Sequence, residues 1–134
     1  MPEIAAFKQA IQEADWTKEK HVPIIECPDE VTKDEFFDVT VTLGRAIAHP
    51  NTTEHHIRWM DLYYQGQDEK FIFQIARFEF CAHGESVAGP NEGPAHTHHE
   101  GCTKMKASKS GTLFALAYCN IHGLWEGAKD IKVV

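Results

Sequence analysis

The chain has 134 residues, 43% of them hydrophobic and 25% charged, a composition typical of a globular domain that buries its own core. We therefore predict a single domain over residues 1–134. The formal net charge of −7 argues against nucleic acid as a partner, because phosphate binding needs a concentrated basic patch. The mixed residues 1–14 lack the apolar core of a signal peptide, and no stretch approaches about 18 apolar residues, so we expect a cytoplasmic protein without a membrane partner.

Short strands dominate the predicted elements. Apolar residues recur at helical spacing over residues 4–14 and predict a short amphipathic helix that packs on a sheet edge. Strands follow from residue 24 and over residues 35–43, 57–64, 70–81, 102–107, 112–119 and 131–134. The alternation falters near Gln74 and Arg77, which indicates a bulge or an exposed edge. About seven short strands separated by turns predict an all-β, immunoglobulin-like antiparallel β-sandwich with a short N-terminal helix.

The cysteines point to one metal ligand rather than to disulfides. Cys27, Cys81 and Cys102 stand far apart without a Cys-x-x-Cys motif, and we expect them to be free thiols. Cys119 differs, because it ends an apolar strand with two residues between it and His122. Such a pair can chelate a transition metal, although a buried cysteine is more often a small core residue.

Three further histidines stand at predicted junctions of loops and strands, where a sandwich gathers its loops at one end. They are His21, His49 and His55. Strand alternation through residue 57 predicts that His55 points inward and that His56 points outward. Four imidazoles and one thiolate suit neither a tetrahedral zinc site nor a blue copper site, whereas iron accepts five donors and leaves a sixth position open.

Three motifs closely resemble those of the superoxide reductases. They are EKHVP at residues 19–23, HPNTTEHHI at residues 49–57 and CNIHGLWE at residues 119–126. The similarity is to the one-iron, neelaredoxin-type class of the desulfoferrodoxin iron-binding domain family. It extends over about residues 16–126 and includes AHGES at residues 82–86. The four-cysteine domain of the two-iron class is missing from the sequence, so a second iron is not expected.

The resemblance implies one iron per chain with four equatorial imidazoles and an axial thiolate, from His21, His49, His55, His122 and Cys119. It also implies that Glu19 occupies the open position in the ferric state only and that Lys20 is the cation near the substrate. The implied reaction is one-electron reduction of superoxide to hydrogen peroxide without production of dioxygen. A rubredoxin-like electron donor and a homotetramer are implied as partners.

Two other interpretations stay open from the residues alone. A non-catalytic electron-transfer or metal-binding module, analogous to the cupredoxins, would lack an open substrate position. A structural interaction domain with incidental histidines would hold no stoichiometric iron. We expect His96, His98 and His99 to belong to a polar loop rather than to a second metal site, and Trp125 to be an aromatic lid or core residue.

Overall fold

Strands make up most of the computed structural model, which describes residues 6–134. One short helix, α1, is followed by eight strands in this part of the chain. Their bounds are α1 Phe7–Ala10, β1 Ile24–Glu26, β2 Glu30–Val31, β3 Phe37–Thr42, β4 Ile57–Gly66, β5 Phe73–Glu79, β6 Glu100–Met105, β7 Gly111–Cys119 and β8 Gly123–Val133. The prediction of an all-β architecture is confirmed, with eight strands where about seven were expected.

Two sheets form the sandwich. The smaller has the strand order β1-β3-β6 and the larger the order β2-β8-β7-β4-β5. All pairs are antiparallel except the short parallel pair of β2 with β8. Apolar side chains of both sheets are fully buried together, including Val39 and Val41 from the smaller sheet and Met60, Leu62 and Leu113 from the larger. The inner faces of the two sheets therefore make the core, as in other β-sandwiches.

The strand β5 is both an edge strand and a bulged strand. It pairs only with β4 within its sheet, and the register shifts between Leu62 opposite Ala76 and Tyr63 opposite Gln74. Ile75 is the extra residue of this bulge, because no residue of β4 lies opposite to it. The faltering alternation near Gln74 and Arg77 predicted a bulge or an exposed edge, and β5 has both.

The predicted N-terminal helix is much shorter than its apolar pattern suggested. Ile4 lies outside the described residues, and α1 ends at Ala10 without burying any side chain. The backbone of Gln12 instead pairs with β8, since its N–H donates to the carbonyl oxygen of Leu124 (3.0 Å) and its own carbonyl accepts from the N–H of Glu126 (2.9 Å). Backbone pairing with β8 has overridden a weak local helical preference.

The last strand is much longer than predicted, because β8 begins at Gly123 and pairs along the whole of β7. Only its end, near residue 131, carries the apolar signal of a buried strand. The sequence signal was weak because residues 123–127 are all half-buried and do not alternate between buried and exposed. No helix in residues 6–134 has the length and apolar character needed to cross a membrane.

Candidate metal centre

The hairpin between β7 and β8 sets the spacing of Cys119 and His122. Cys119 pairs with Gly123 across a three-residue loop, and Gly123 has a φ of 78°, in the left-handed region that glycine adopts without strain. This tight loop folds His122 back, so that its backbone N–H donates to the Cys119 sulfur at 3.4 Å. The imidazole Nδ1 of His122 lies 3.8 Å from the same sulfur. The Cys-x-x-His spacing therefore presents both donors from one turn.

The connection between β3 and β4 supplies His49 and His55. Gly44 has a φ of 78°, and an added Cβ there would lie 3.0 Å from the backbone nitrogen of His49, so the loop needs glycine at this point. The Nδ1–H of His49 donates to the carbonyl oxygen of Pro50 at 2.6 Å, which leaves the lone pair of Nε2 free. The backbone N–H of His55 donates to the Thr52 hydroxyl at 3.0 Å.

His21 comes from the segment that precedes β1. Its Nδ1–H donates to a carboxylate oxygen of Glu19 at 2.6 Å, and its backbone N–H donates to the same oxygen at 3.2 Å. The carboxylate thereby holds Nδ1 of the ring and directs Nε2 towards His122, whose Nδ1 lies 3.1 Å away. Glu19 thus contacts the back of His21 in this structure.

The four imidazoles form a closed square. Successive ring centroids lie 4.8 Å apart from His21 to His49, 4.9 Å from His49 to His55, 5.0 Å from His55 to His122 and 4.7 Å from His122 back to His21. The diagonal from His21 to His55 is 6.4 Å. Donor atoms of His21, His55, His122 and Cys119 lie within 4.8 Å of one another. All five predicted side chains therefore meet at one end of the sandwich.

Burial keeps three imidazoles of this square, those of His21, His49 and His55, in the neutral form that binds metals. It is the largest cause of the lowered pKa of His21 and His55, and it lowers the pKa of His49 to about 3. At neutral pH each of these rings therefore offers a lone pair without having to lose a proton.

Burial also distinguishes two sides of the square. Cys119 is fully buried at the end of β7, whereas His122 and its neighbour Ile121 are exposed. The thiol therefore faces the protein interior, and the His122 edge faces solvent.

The two charged residues beside His21 are half-buried. The hydrogen bond from His21 is the main cause that lowers the pKa of the Glu19 carboxyl. Burial is the largest cause of the lowered pKa of His21 and His55. The positive charges of neighbouring groups, including the ammonium of Lys20, lower both pKa values further. The positive charge of Lys20 is thus close enough to the square to act on it electrostatically.

The predicted outward direction of His56 is wrong. His56 is buried and stacks on His83, with ring centroids 3.5 Å apart, and its backbone N–H donates to the Asn120 side chain at 2.9 Å. The prediction failed because it extended strand alternation through residue 56, whereas β4 begins at Ile57. His83 is also buried, and its Nδ1 lies 3.3 Å from a carboxylate oxygen of Glu85.

The predicted polar loop holds two different kinds of histidine. His96 and His98 are exposed, but His99 is buried, and burial lowers its pKa to about 4. Its ring lies 5.8 Å from that of His49, which makes it a neighbour of the square.

Two further residues support the site: Asn120, which the sequence did not single out, and Trp125, which was expected to be an aromatic lid or core residue. Asn120 joins the two ligand loops, because its backbone N–H donates to the carbonyl of His56 (3.2 Å) and its side chain to that of Glu54 (2.9 Å). Trp125 stacks on His21. The position of both within the 119–126 motif was the available signal, but their contacts depend on tertiary structure.

The donor set fits a bound iron. The Nε2 atoms of His49 and His55 are buried and have no hydrogen-bond partner among residues 6–134, an arrangement that costs free energy unless a metal or water satisfies them. Four imidazole nitrogens and a buried thiol exceed what a tetrahedral zinc site uses. The lone pairs that face the centre belong to Nε2 of His21, His49 and His55 and to Nδ1 of His122.

A β-sandwich with this square of imidazoles and a buried cysteine defines a class of mononuclear metal proteins. Residues 13–128 match the family model described as Desulfoferrodoxin, and the chain belongs to this family. It is 55% identical to the neelaredoxin of Megalodesulfovibrio gigas over 122 residues, which cover 91% of this chain and 94% of that protein. It is 50% identical to the superoxide reductase of Pyrococcus furiosus over 126 residues, which cover 94% and 99% of the two chains.

Solved structures show the same fold. The superoxide reductase (neelaredoxin) of Archaeoglobus fulgidus in the reduced form matches with a TM-score of 0.85 and 48% identity, over 91% of this chain and 98% of that one. A superoxide reductase in the oxidized state matches with a TM-score of 0.86 and 46% identity, over 95% and 100% of the two chains. The resemblance inferred from the motifs is thereby confirmed across the domain.

Proposed function

We propose that this protein is a superoxide reductase, which reduces superoxide by one electron to hydrogen peroxide without releasing dioxygen. The observation that supports it most directly is the square of four imidazoles beside the buried Cys119. Relatives at 50–55% identity that are named neelaredoxin and superoxide reductase support the same conclusion.

In this proposal, His21, His49, His55, His122 and Cys119 hold one iron per chain. Ferrous iron held by these residues would supply the single electron that superoxide needs, and two protons would complete hydrogen peroxide. Neutral imidazoles add no negative charge to the site, so only the thiolate donates charge. The backbone N–H of His122 stabilises that thiolate by donating to the Cys119 sulfur.

Lys20 and Glu19 act from the segment beside His21. Lys20 supplies a local positive potential that draws an anionic substrate to a chain whose net charge is −7. Glu19 orients His21 by accepting from the Nδ1–H of that ring, as the 2.6 Å contact supports, and would release this hydrogen bond to occupy the open position of a ferric iron.

Four further statements complete the proposal. The protein acts as a single domain, in the cytoplasm, as a homotetramer, and receives its electron from a rubredoxin-like donor. The single domain rests on the length and composition of the chain and the cytoplasmic location on the sequence analysis, whereas the homotetramer and the electron donor rest on the family resemblance. The exposed edge at Ile121 and His122 gives such a donor access to the site.

The test is a stoichiometric reaction of the iron-loaded protein with superoxide. Ferrous protein is mixed anaerobically with a limiting amount of superoxide, and ferric protein, hydrogen peroxide and dioxygen are each measured. We expect one ferric site and one hydrogen peroxide per superoxide consumed, with no dioxygen. Equal amounts of dioxygen and hydrogen peroxide would indicate dismutation, and unchanged ferrous protein would indicate an electron carrier or binding module; either result would contradict the proposal.

A further inference from the structure

One indole ring contacts two of the proposed ligands. The ring of Trp125 lies nearly parallel to that of His21, with centroids 4.8 Å apart and planes 16° apart. Its Nε1–H donates to the carbonyl oxygen of His122 at 3.1 Å. The donor nitrogens of these same two histidines lie 3.1 Å apart, although the residues are 101 positions apart in the chain. Trp125 therefore bridges the His21 segment and the His122 loop, whose donor nitrogens must converge to bind a metal.

The backbone of Trp125 is itself held on both sides. On one side it pairs with Ala117 of β7. On the other side Gln12 forms a bridge to it, with hydrogen bonds to the two residues that flank it in β8. Because its backbone is paired on both sides, the indole ring has little freedom to move and can hold the stacked His21 ring in one orientation.

The two contacts oppose motions that the hydrogen bonds of Glu19 to His21 and of His122 to Cys119 leave free. Glu19 fixes one nitrogen of the His21 ring but leaves the ring free to tilt about that hydrogen bond. Stacking on the indole face removes this freedom. His122 lies in an exposed three-residue loop, and the indole N–H holds the carbonyl of that loop in place.

We propose that Trp125 is a positioning residue of the metal centre, which holds His21 through ring stacking and His122 through its carbonyl, so that both donors converge before the metal binds. The proposal rests on the proposed function for the identity of the metal only. Residues that orient metal ligands in this manner typically contribute about 10–100-fold to metal affinity, because the ligands need less ordering on binding.

The test uses metal binding rather than turnover. Apoprotein is titrated with Co²⁺ as a visible probe, and affinity and ligand-field bands are compared for the wild type, Trp125→Leu and Trp125→Phe. The matched control is Trp59→Leu, because Trp59 is also half-buried on the larger sheet but stacks on Tyr118 and beneath Arg77. Urea unfolding of each apoprotein measures the general loss of stability.

We expect Trp125→Leu to bind Co²⁺ about 10–100-fold more weakly with shifted bands, and Trp59→Leu to bind like the wild type. Trp125→Phe keeps the stacking and loses the hydrogen bond, so a several-fold loss is expected. The proposal would be overturned if Trp125→Leu bound Co²⁺ with the affinity and ligand-field bands of the wild type. It would also be overturned if Trp59→Leu lost as much Co²⁺ affinity as Trp125→Leu. If Trp125→Leu does not fold, Trp125→Phe decides: a several-fold loss supports the proposal and wild-type binding overturns it.

These outcomes separate the proposal from the proposed function. A wild-type protein that binds metal but does not reduce superoxide would contradict the function and leave the positioning test intact. Variants that match the wild type in Co²⁺ binding would contradict only the role of Trp125.

Discussion

Lys20 is the residue whose role depends most on charge. After burial, which is the largest cause, its ammonium contributes to the lowered pKa of His21 and His55, in a chain whose net charge is −7. A unit charge about 7 Å from a bound superoxide contributes about 2 kcal/mol at an effective dielectric of about 20, and less in salt. We predict that Lys20→Ala lowers the second-order rate constant with superoxide about tenfold at low ionic strength and weakens its salt dependence, while iron content stays unchanged. Pulse radiolysis or stopped flow over a range of salt concentrations measures this.

Lys18→Ala is the matched control, because Lys18 is an exposed lysine two residues earlier and its loss changes the net charge equally. We expect Lys18→Ala to leave the rate constant nearly unchanged. If both variants lower the rate constant equally, the effect comes from net charge rather than from the position of Lys20. If Lys20→Ala leaves the rate constant unaltered, Lys20 has no part in the mechanism.

Glu19 has two separable roles in the account. Its carboxylate accepts from Nδ1 of His21, and glutamine retains an oxygen for that bond. We therefore predict that Glu19→Ala lowers metal affinity about tenfold and that Glu19→Gln does not. Both variants should change the visible spectrum of the ferric protein more than the rate with superoxide, because neither side chain can replace a carboxylate at the open position. Metal titration and ferric spectra measure this, and equal affinity in Glu19→Ala and the wild type would refute the orienting role.

At the residue scale the motifs predicted which side chains meet, and their role as ligands stays a prediction. They did not predict which ring nitrogen faces the centre, because that depends on acceptors such as the carbonyl of Pro50. The direction of His56 was missed for a related reason, since the start of β4 is set by pairing with Cys119 at Ile57 rather than by a residue pattern.

The element that positions His21 is the contact between β8 and the segment before β1. An added Cβ at Gly127 would lie 2.1 Å from the carbonyl oxygen of Pro23, two residues after His21. Gly127→Ala must therefore push the His21 segment away from β8. We predict a loss of about 1–3 kcal/mol in the free energy of unfolding together with weaker metal binding, measured by urea unfolding and Co²⁺ titration.

Gly111→Ala provides the control. Its Cβ would lie 2.3 Å from the carbonyl oxygen of Gln65, a clash of the same kind, but Gly111 begins β7 whereas Cys119 ends it. We expect a comparable loss of stability with metal affinity unchanged. Loss of affinity in both variants, or in neither, would contradict a specific role of the contact between Gly127 and Pro23.

The sequence predicted some elements better than others for physical reasons. Residues 35–43 alternate because β3 has one face on the core, and this strand was predicted closely. Most of β8 was missed, because its half-buried residues do not alternate and its register is imposed by β7. The predicted helix does not continue beyond Ala10, because the backbone of Gln12 forms hydrogen bonds with β8. No local sequence pattern encodes that pairing.

At the scale of the whole molecule, the metal would link three segments that are distant in sequence. These segments are the one that carries His21, the loop with His49 and His55, and the hairpin with Cys119 and His122. A metal that binds only the folded chain adds about 4 kcal/mol of stability when its free concentration is about a thousand times its dissociation constant. We predict that metal removal by chelation lowers the midpoint of thermal unfolding, and that His55→Ala abolishes most of this difference. Equal midpoints with and without metal in the wild type would contradict the cross-linking role.

The central claim is an iron centre with Cys119 as a ligand, and one measurement tests it most directly. The protein is purified anaerobically, its iron per chain is determined, and the visible spectrum of the oxidised form is recorded for the wild type and for Cys119→Ser. The account predicts about one iron per chain and a thiolate-to-ferric charge-transfer band that disappears in the variant. Stoichiometric zinc or copper, or a band that persists without Cys119, would contradict both the site and the superoxide reductase activity assigned to it.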